Sequence, residues 1–379
     1  MGDEFRCVDL FCGAGGFSLG FQSAGFDVVA SVDRNEAALE TYSHNFDNVA
    51  TFETDIRNFT LNMFEEHSGY DARDIDVVIG GPPCKGFSTA GRMDPNDPRN
   101  ELVVEYAKTV AELDPEVVVL ENVTGFLNMH GGQYHEELRE TLSEIGYTVQ
   151  QPEVLTAADY GVPQLRERVI IVATRGGRVE VASPTHRPRE GQEPLRGGED
   201  LDPYVTVEDA VGDLSFLRYG QEATQYKLRP LTDYQREMRD GADELYNHKA
   251  PNHGKTVRER YDQFDYGQEM SELDEQYQTK KHSMKRWHPE EPAPTVTTLP
   301  EDFVHYDRLR IPTVREVARI QSFPDWFEFK GPRTTGGQRR RNSVPQYTQV
   351  GNAVPPKFAE AIADRVADHL TAQRIIPGT

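Results

Sequence analysis

The stretch Arg6-Cys-Val-Asp-Leu-Phe11, followed at once by Cys12-Gly13-Ala14-Gly15-Gly16, decides the fold. A short, nearly continuous apolar run reads as a strand buried on both faces, and the glycines after it predict a tight turn into a helix. That helix is expected to reach about Ala24, and Asp27–Val32 is expected to be the next strand. Further out, Asp74–Gly80 and Glu116–Leu120 read as buried strands with a helix at Leu102–Leu113 between them. Tyr147–Leu155 and Val169–Thr174 look like a closing pair. Strands alternating with amphipathic helices predict an α/β fold around a parallel sheet.

From Pro184 the pattern changes. A linker rich in proline, glycine and charge leads into a polar stretch that continues to about Pro289. Helical periodicity returns at Thr313–Gln321 and at Pro356–Thr371, where Phe358, Ile362 and Val366 recur every four residues. The expected organisation is a first domain over 1–183, an inserted module over 184–290, and a return over 291–379 that completes the first domain.

Composition narrows the function. The 379 residues carry 41 Lys+Arg against 63 Asp+Glu, a net charge of −22, and only ten of the basic residues are lysine. Dense hydrated carboxylates with little lysine suit a high-salt cytoplasm; an ordinary acidic protein is the alternative. No apolar run approaches the ~20 residues of a membrane helix, and no signal-peptide core is seen at the start. Cys7, Cys12 and Cys84 form no CxxC pair, so neither a disulfide framework nor a cysteine zinc site is expected, and a reducing cytoplasm is. Taken alone, the charge argues against a nucleic-acid partner. Two basic patches stand against it, Lys280–His288 (with Lys285 and Arg286) and Arg339-Arg340-Arg341; phosphate contact and a solvated face are both open for each.

The chemistry gathers where strands end. In open parallel sheets ligands bind outside the carboxyl ends of the strands. Gly13–Gly16 lets a backbone approach a ligand, and Asp33 stands 20 residues beyond Gly13, the spacing at which an acid meets a ribose diol. The turn lacks GxGxxG, which favours a nucleoside such as S-adenosylmethionine over a dinucleotide. Phe11 is then placed to stack on the base and Asp55 to accept from its amino group; a plain structural turn is the other reading. Cys84 follows Pro82-Pro83 and opens a polar, glycine-bearing loop, Lys85–Arg92, expected to be exposed and mobile. Prolines aim the thiol, and Lys85 and Arg92 favour its thiolate. Glu121, ending a buried strand, is a carboxyl able to share a proton with a substrate. A strand starting near Arg166 would put Arg166 and Arg168 on one face, to hold a carbonyl or phosphate or to brace the catalytic groups.

The ordered set DLFCGAGGFSLGF, GGPPCKGFS, ENV, QLRER, TVREVARIQSFP and QVGNAVPP resembles the DNA cytosine-5 methyltransferases of prokaryotes, over all but about 184–290. The resemblance implies a Rossmann-like S-adenosylmethionine-dependent methyltransferase domain with a small inserted target-recognition domain. By motif position Cys84 is the nucleophile, Glu121 and Arg168 contact the cytosine, and Arg166 belongs to the same motif. Phe11, Gly13, Ala14, Gly16, Asp33, Asp55, Ile56, Pro83, Leu102, Asn352, Ala353 and Val354 would line the cofactor site. Ser88, Lys285, Arg286, Arg339, Arg340 and Arg341 are the expected DNA contacts. Partners implied are double-stranded DNA and, in restriction-linked members, a cognate endonuclease; a monomer and no metal are expected.

That chemistry suits the residues. Addition of the Cys84 thiolate at C6, with Glu121 on N3 and Arg168 near O2, makes cytosine C5 nucleophilic. The base must leave the duplex first, and the loop from Cys84 to about Asn100 is the element expected to close over it. Departures from the family pattern are Lys85 for the usual Gln, Asp33 for the commoner Glu, Pro312 for Leu, and a long Gly331–Val344 stretch. A tRNA methyltransferase of the related fold and a catalytically silent DNA-binding paralogue are the competing readings.

Overall fold

The computed structural model describes residues 4–83, 102–189, 201–334 and 344–375. The chain divides into two units: Met1–Thr156 with Glu167–Ser183 and Val354–Thr379, and Ala157–Arg166 with Pro184–Ala353. No helix among the described residues is long and apolar enough to cross a membrane.

The first unit is built on an eight-stranded sheet. Its parallel part is β1 (Arg6–Leu10), β2 (Asp27–Asp33), β3 (Ala50–Glu53), β4 (Val77–Gly80) and β5 (Val117–Asn122), in the order β3-β2-β1-β4-β5. The strand Glu167–Thr174 runs antiparallel to β5, and short strands β6 (Thr148–Val149) and β7 (Glu153–Thr156) pair with it in turn. Runs such as Val117-Val-Val-Leu120 are buried on both faces because helices cover the sheet. One of these, the helix Leu102–Leu113, turns Leu102, Val103, Tyr106, Val110 and Leu113 to the sheet, the expected helical stripe. The Rossmann-like α/β fold expected from the sequence is the one observed.

Helix α1 (Gly16–Ser23) begins at the glycine turn and packs on the closing helix Pro356–Ile375. Contact is at backbone distance: a Cβ on Gly20 would lie 2.4 Å from Ala359 Cβ and 2.5 Å from the Pro356 carbonyl. The closing segment is thereby anchored to the helix that the glycine turn starts.

The second unit consists of short helices and two-residue strands joined by loops, as its lack of periodicity suggests. Its extent differs from expectation. Residues 291–353, assigned from sequence to the catalytic return, fall in this unit, as does 157–166. The reason is a buried polar network. Gln164 donates to Gln321 at 2.6 Å and accepts from the Val296 N–H at 2.6 Å, and Gln164–Leu165 pairs with Ala293–Pro294. The helix Val314–Ile320 then carries Arg315, Glu316 and Arg319 into the interior. Glu316 takes both forks of Arg310 at 2.7 and 2.6 Å, while Arg319 reaches Asp213 and Asp325, each at 2.6 Å. These guanidinium groups hold Glu316 and Asp325 below the usual carboxylate range against the opposing pull of burial. The charges of this helix lie in the interior, each paired.

Gly20→Ala forces the closing helix away from α1 because its clash is with backbone. Thermal unfolding is expected to show a loss of about 1–3 kcal/mol, whereas Gly25→Ala, where a Cβ meets nothing within 4 Å, leaves packing untouched and is limited to the strain of its positive φ.

Candidate active site

The ends of β1 and β2 are stitched together. Phe11, at φ 66°, and Cys12 both donate their N–H to the Val32 carbonyl, at 2.8 and 3.1 Å. Gly13 N–H then donates to Asp33 Oδ2 at 3.0 Å, and Asn35 N–H to Oδ1 at 2.8 Å. Burial pushes the Asp33 carboxyl up, and these two N–H groups with Arg34 draw it back. Each oxygen keeps a lone pair for a further donor, so a diol can still be received. At Gly15, φ 95°, a Cβ would strike the Phe46 and Tyr42 rings, whereas at Gly13 it would meet nothing within 4 Å. The turn is thus walled on one side and open on the other, a fit for a nucleoside.

At the end of β3, Asp55 accepts the Arg57 N–H at 3.1 Å and stands 3.8 Å from the Arg34 guanidinium. Ile56 and Leu102 are buried in the main core of this unit. Ala14 and Gly16 are buried in the turn, Pro83 is half-buried, and Val354 is buried just before the closing helix. Asn352 and Ala353 belong to the second unit, where the Ala353 carbonyl accepts from Arg166 and Gln321.

The catalytic candidates divide. Glu121 and Arg168 meet, with Arg168 Nε 2.9 Å from Glu121 Oε1 and both side chains nearly buried, at 11% and 13% exposure. Burial lowers the Arg168 guanidinium and the Glu121 carboxylate opposes it. A Cβ on Gly81 would touch Glu121 Oε2 at 3.4 Å, and the Pro82 carbonyl accepts from Asn122 Nδ2 at 3.2 Å. The chain entering Cys84 is therefore pinned to the strand that carries Glu121. Cys84 itself, the Lys85–Arg92 loop, Ser88, Arg339, Arg340 and Arg341 lie outside the described residues.

Arg166 corrects the sequence reading. It lies immediately before the strand Glu167–Thr174. Its guanidinium donates to the carbonyls of Val296, Gly351 and Ala353 at 3.2–3.3 Å, and it is 3% exposed. It braces the second unit. The Arg286 guanidinium donates to the carbonyls of Tyr306 and Phe264. Lys285 lies beside it, half-buried, in a two-residue strand.

Sequence reasoning missed Asp9. It is 1% exposed in mid-β1, accepts from Ser18 Oγ at 2.6 Å, and Ser18 in turn accepts from the Tyr42 hydroxyl at 2.9 Å. These bonds link the strand before the glycine turn to the helix after it. Burial pushes the Asp9 carboxyl up to about 7. A lone aspartate inside an apolar strand, with a serine on the following helix, was the available signal.

The sequence model of the C-5 cytosine-specific DNA methylases matches residues 5–368. The chain belongs to that family: it is a DNA cytosine-5 methyltransferase, and its cofactor is S-adenosyl-L-methionine. It is 35% identical to the Type II methyltransferase M.DdeI of Desulfomicrobium norvegicum, covering 95% of this chain and 88% of that one. The Type II methyltransferase M1.HphI of Haemophilus parahaemolyticus is 34% identical, with 95% and 86% covered. A solved prophage-encoded DNA modification methyltransferase of E. coli superposes with a TM-score of 0.77 at 26% identity, covering 97% of this chain and 100% of that one.

Because Asp9 keeps its proton in the folded state up to about 7 against 3.8 ordinarily, the native form binds the extra proton and stability falls as pH rises between those values. Asp9→Asn, which still accepts from Ser18, removes that fall. Urea unfolding is expected to show the variant gaining on the wild type from pH 5 to pH 8, by a few kcal/mol at ~1.4 kcal/mol per pH unit.

Proposed function

We propose that this enzyme methylates C5 of a flipped-out cytosine within a specific double-stranded DNA sequence, through a covalent bond between Cys84 Sγ and C6. The observation that carries the reading is the nearly buried Glu121–Arg168 pair beside Gly81-Pro82, two residues before Cys84. In this reading the thiolate adds to C6, and Glu121, held by Arg168 in one orientation, shares a proton with N3. Arg168 supports negative charge developing at O2, in surroundings where burial strengthens the interaction. The addition makes C5 nucleophilic, and C5 takes the methyl; loss of the C5 proton to solvent with breakage of the C6–S bond then restores the ring double bond and the Cys84 thiolate.

S-adenosyl-L-methionine supplies an electrophilic methyl on a sulfonium. This chain's part is to receive its nucleoside: Asp33 would take the ribose hydroxyls, Asp55 the adenine amine, and the open side of the Gly13 turn the amino-acid end. Phe11, with Ile56, Pro83 and Leu102, would frame the ring. Asn352, Ala353 and Val354 are carried into the same role by motif position.

DNA is favoured over tRNA by the family match and the Type II relatives. The same relatives support a place in restriction–modification, in which a cognate endonuclease would be the partner. The net charge of −22 and the ten lysines support a salt-loving host.

DNA carrying 5-fluorocytosine removes the C5 proton step, so the wild type is expected to remain covalently attached, as a band that survives denaturing electrophoresis. Cys84→Ser is expected to leave no such band while still binding S-adenosylmethionine. Methylation at wild-type rate by Cys84→Ala would end the covalent reading.

Salt separates the host question from the chemistry. Counterion release adds little at high ionic strength, so in a salt-adapted enzyme methylation is expected to persist at molar KCl. An activity maximum near ~0.1 M, where the Debye length is about 10 Å, would count against adaptation.

A further inference from the structure

Residues Tyr266–Ser271 pair antiparallel with His282–Arg286 in the second unit. Gly267 N–H donates to the Arg286 carbonyl at 2.9 Å, Arg286 N–H to the Gln268 carbonyl at 3.1 Å, and Met270 N–H to the Met284 carbonyl at 2.7 Å. Met270 and Met284 fasten this hairpin to a core with Tyr261, Phe264, Leu273 and Val304. Lys285–Arg286 also pairs with Phe303–Val304. The hairpin is therefore a fixed element.

At its base stands Tyr266, an aromatic ring 51% exposed. One face is covered: the Arg286 guanidinium lies 5.0 Å from the ring centroid, and the His288 ring meets it edge-on at 5.7 Å and 70°. Arg286 is itself pinned to the Tyr306 and Phe264 carbonyls, so the support cannot swing away. A half-exposed ring that is already held still loses little further freedom when something stacks on it. Charge on the hairpin is sorted as well. Glu269 caps the turn Met270–Glu272, the Glu272 carboxylate accepts the Glu269 N–H at 2.7 Å, and Lys281 is paired with Asp302 at 2.7 Å. Among the described residues Lys280 and Lys285 stand within ion-pair distance of no carboxylate, whereas Lys281 pairs with Asp302 and Glu301. In the hairpin's register Glu269 stands across from Lys285, and Asp265 precedes Tyr266.

We propose that Tyr266 is a specificity-determining residue of this enzyme, a platform on which a base displaced from the stack of the DNA duplex rests, with Lys280 and Lys285 meeting the adjoining phosphates. The assignment rests on the functional reading above and names the surface through which the second unit would choose a sequence. Stacking is not screened by salt as a phosphate contact is, which suits a chain of net charge −22.

A library of unmethylated random duplexes is treated with enzyme and S-adenosylmethionine and sequenced for methylated sites, and duplex affinity is measured alongside. Tyr266→Ala is expected to bind the preferred duplex roughly 10- to 100-fold more weakly and to relax the preferred sequence at one or more positions, with S-adenosylmethionine affinity unchanged. Tyr266→Phe, which keeps the ring, is expected to behave as wild type. Lys280→Ser with Lys285→Ser weakens all duplexes alike and flattens the salt dependence by roughly one unit per lost contact. Tyr219→Ala is the control, since Tyr219 is a second exposed tyrosine, 43% exposed and covered by Arg258 at 3.7 Å. An unchanged preferred sequence and affinity in Tyr266→Ala, or an equal change in Tyr219→Ala, would overturn the assignment while leaving the enzyme's function standing. A wild type that methylates no duplex would overturn both.

Discussion

A parallel sheet can place its strand ends along only one edge, and in this enzyme that constraint gathers the chemistry. Asp33, Asp55 and Glu121 each lie at the end of a strand or just past it, and Phe11 and Pro82 follow two others. None needs a long loop to reach its place. The Asp33 carboxylate does more than wait for a ligand, because by accepting from Gly13 and Asn35 it ties the exit of β2 to the turn after β1. The same bonds that hold the turn open hold the acid pointed at it. Asp9 adds a second tie, since its link through Ser18 to Tyr42 joins the strand to the two helices that follow.

The second unit solves another problem. It has few long elements, and alongside its apolar clusters it organises around buried guanidinium groups. Arg310, Arg315 and Arg319 are each fully enclosed, answered by Glu316, Asp213, Asp325 and a set of backbone carbonyls. Arginine suits this work because its fork is planar, weakly hydrated and charged at any accessible pH. The predominance of arginine among the basic residues thus has a structural cause in addition to any adaptation to salt. Arg166 and Arg286 serve in the same way, each donating to main-chain carbonyls that loops leave unpaired.

Much of the first unit is legible in the order of its residues. β1, β2, the helix Leu102–Leu113 and the closing helix fall within a few residues of their expected bounds, because buried strands and amphipathic helices write their periods into the chain. The Glu121–Arg168 pair is legible as two members of one set, since each lies near the end of one of two neighbouring strands. The second unit is not. Its boundary at Ala353 is set by side chains of Gln164 and Arg166 reaching carbonyls more than a hundred residues away, and polar partners at that separation leave no period to read.

By itself, then, the amino-acid order determined the sheet, the turn that opens it, and the family to which the enzyme belongs, because those rest on local patterns of apolar and glycine residues. Only the tertiary structure decided which charges face water. Arg166 and Arg168 are two residues apart, yet one is sealed among carbonyls and the other meets a carboxylate beside the catalytic loop's entrance. A guanidinium's role follows from whichever acceptor folding brings within about 3 Å, and chain neighbours say little about that.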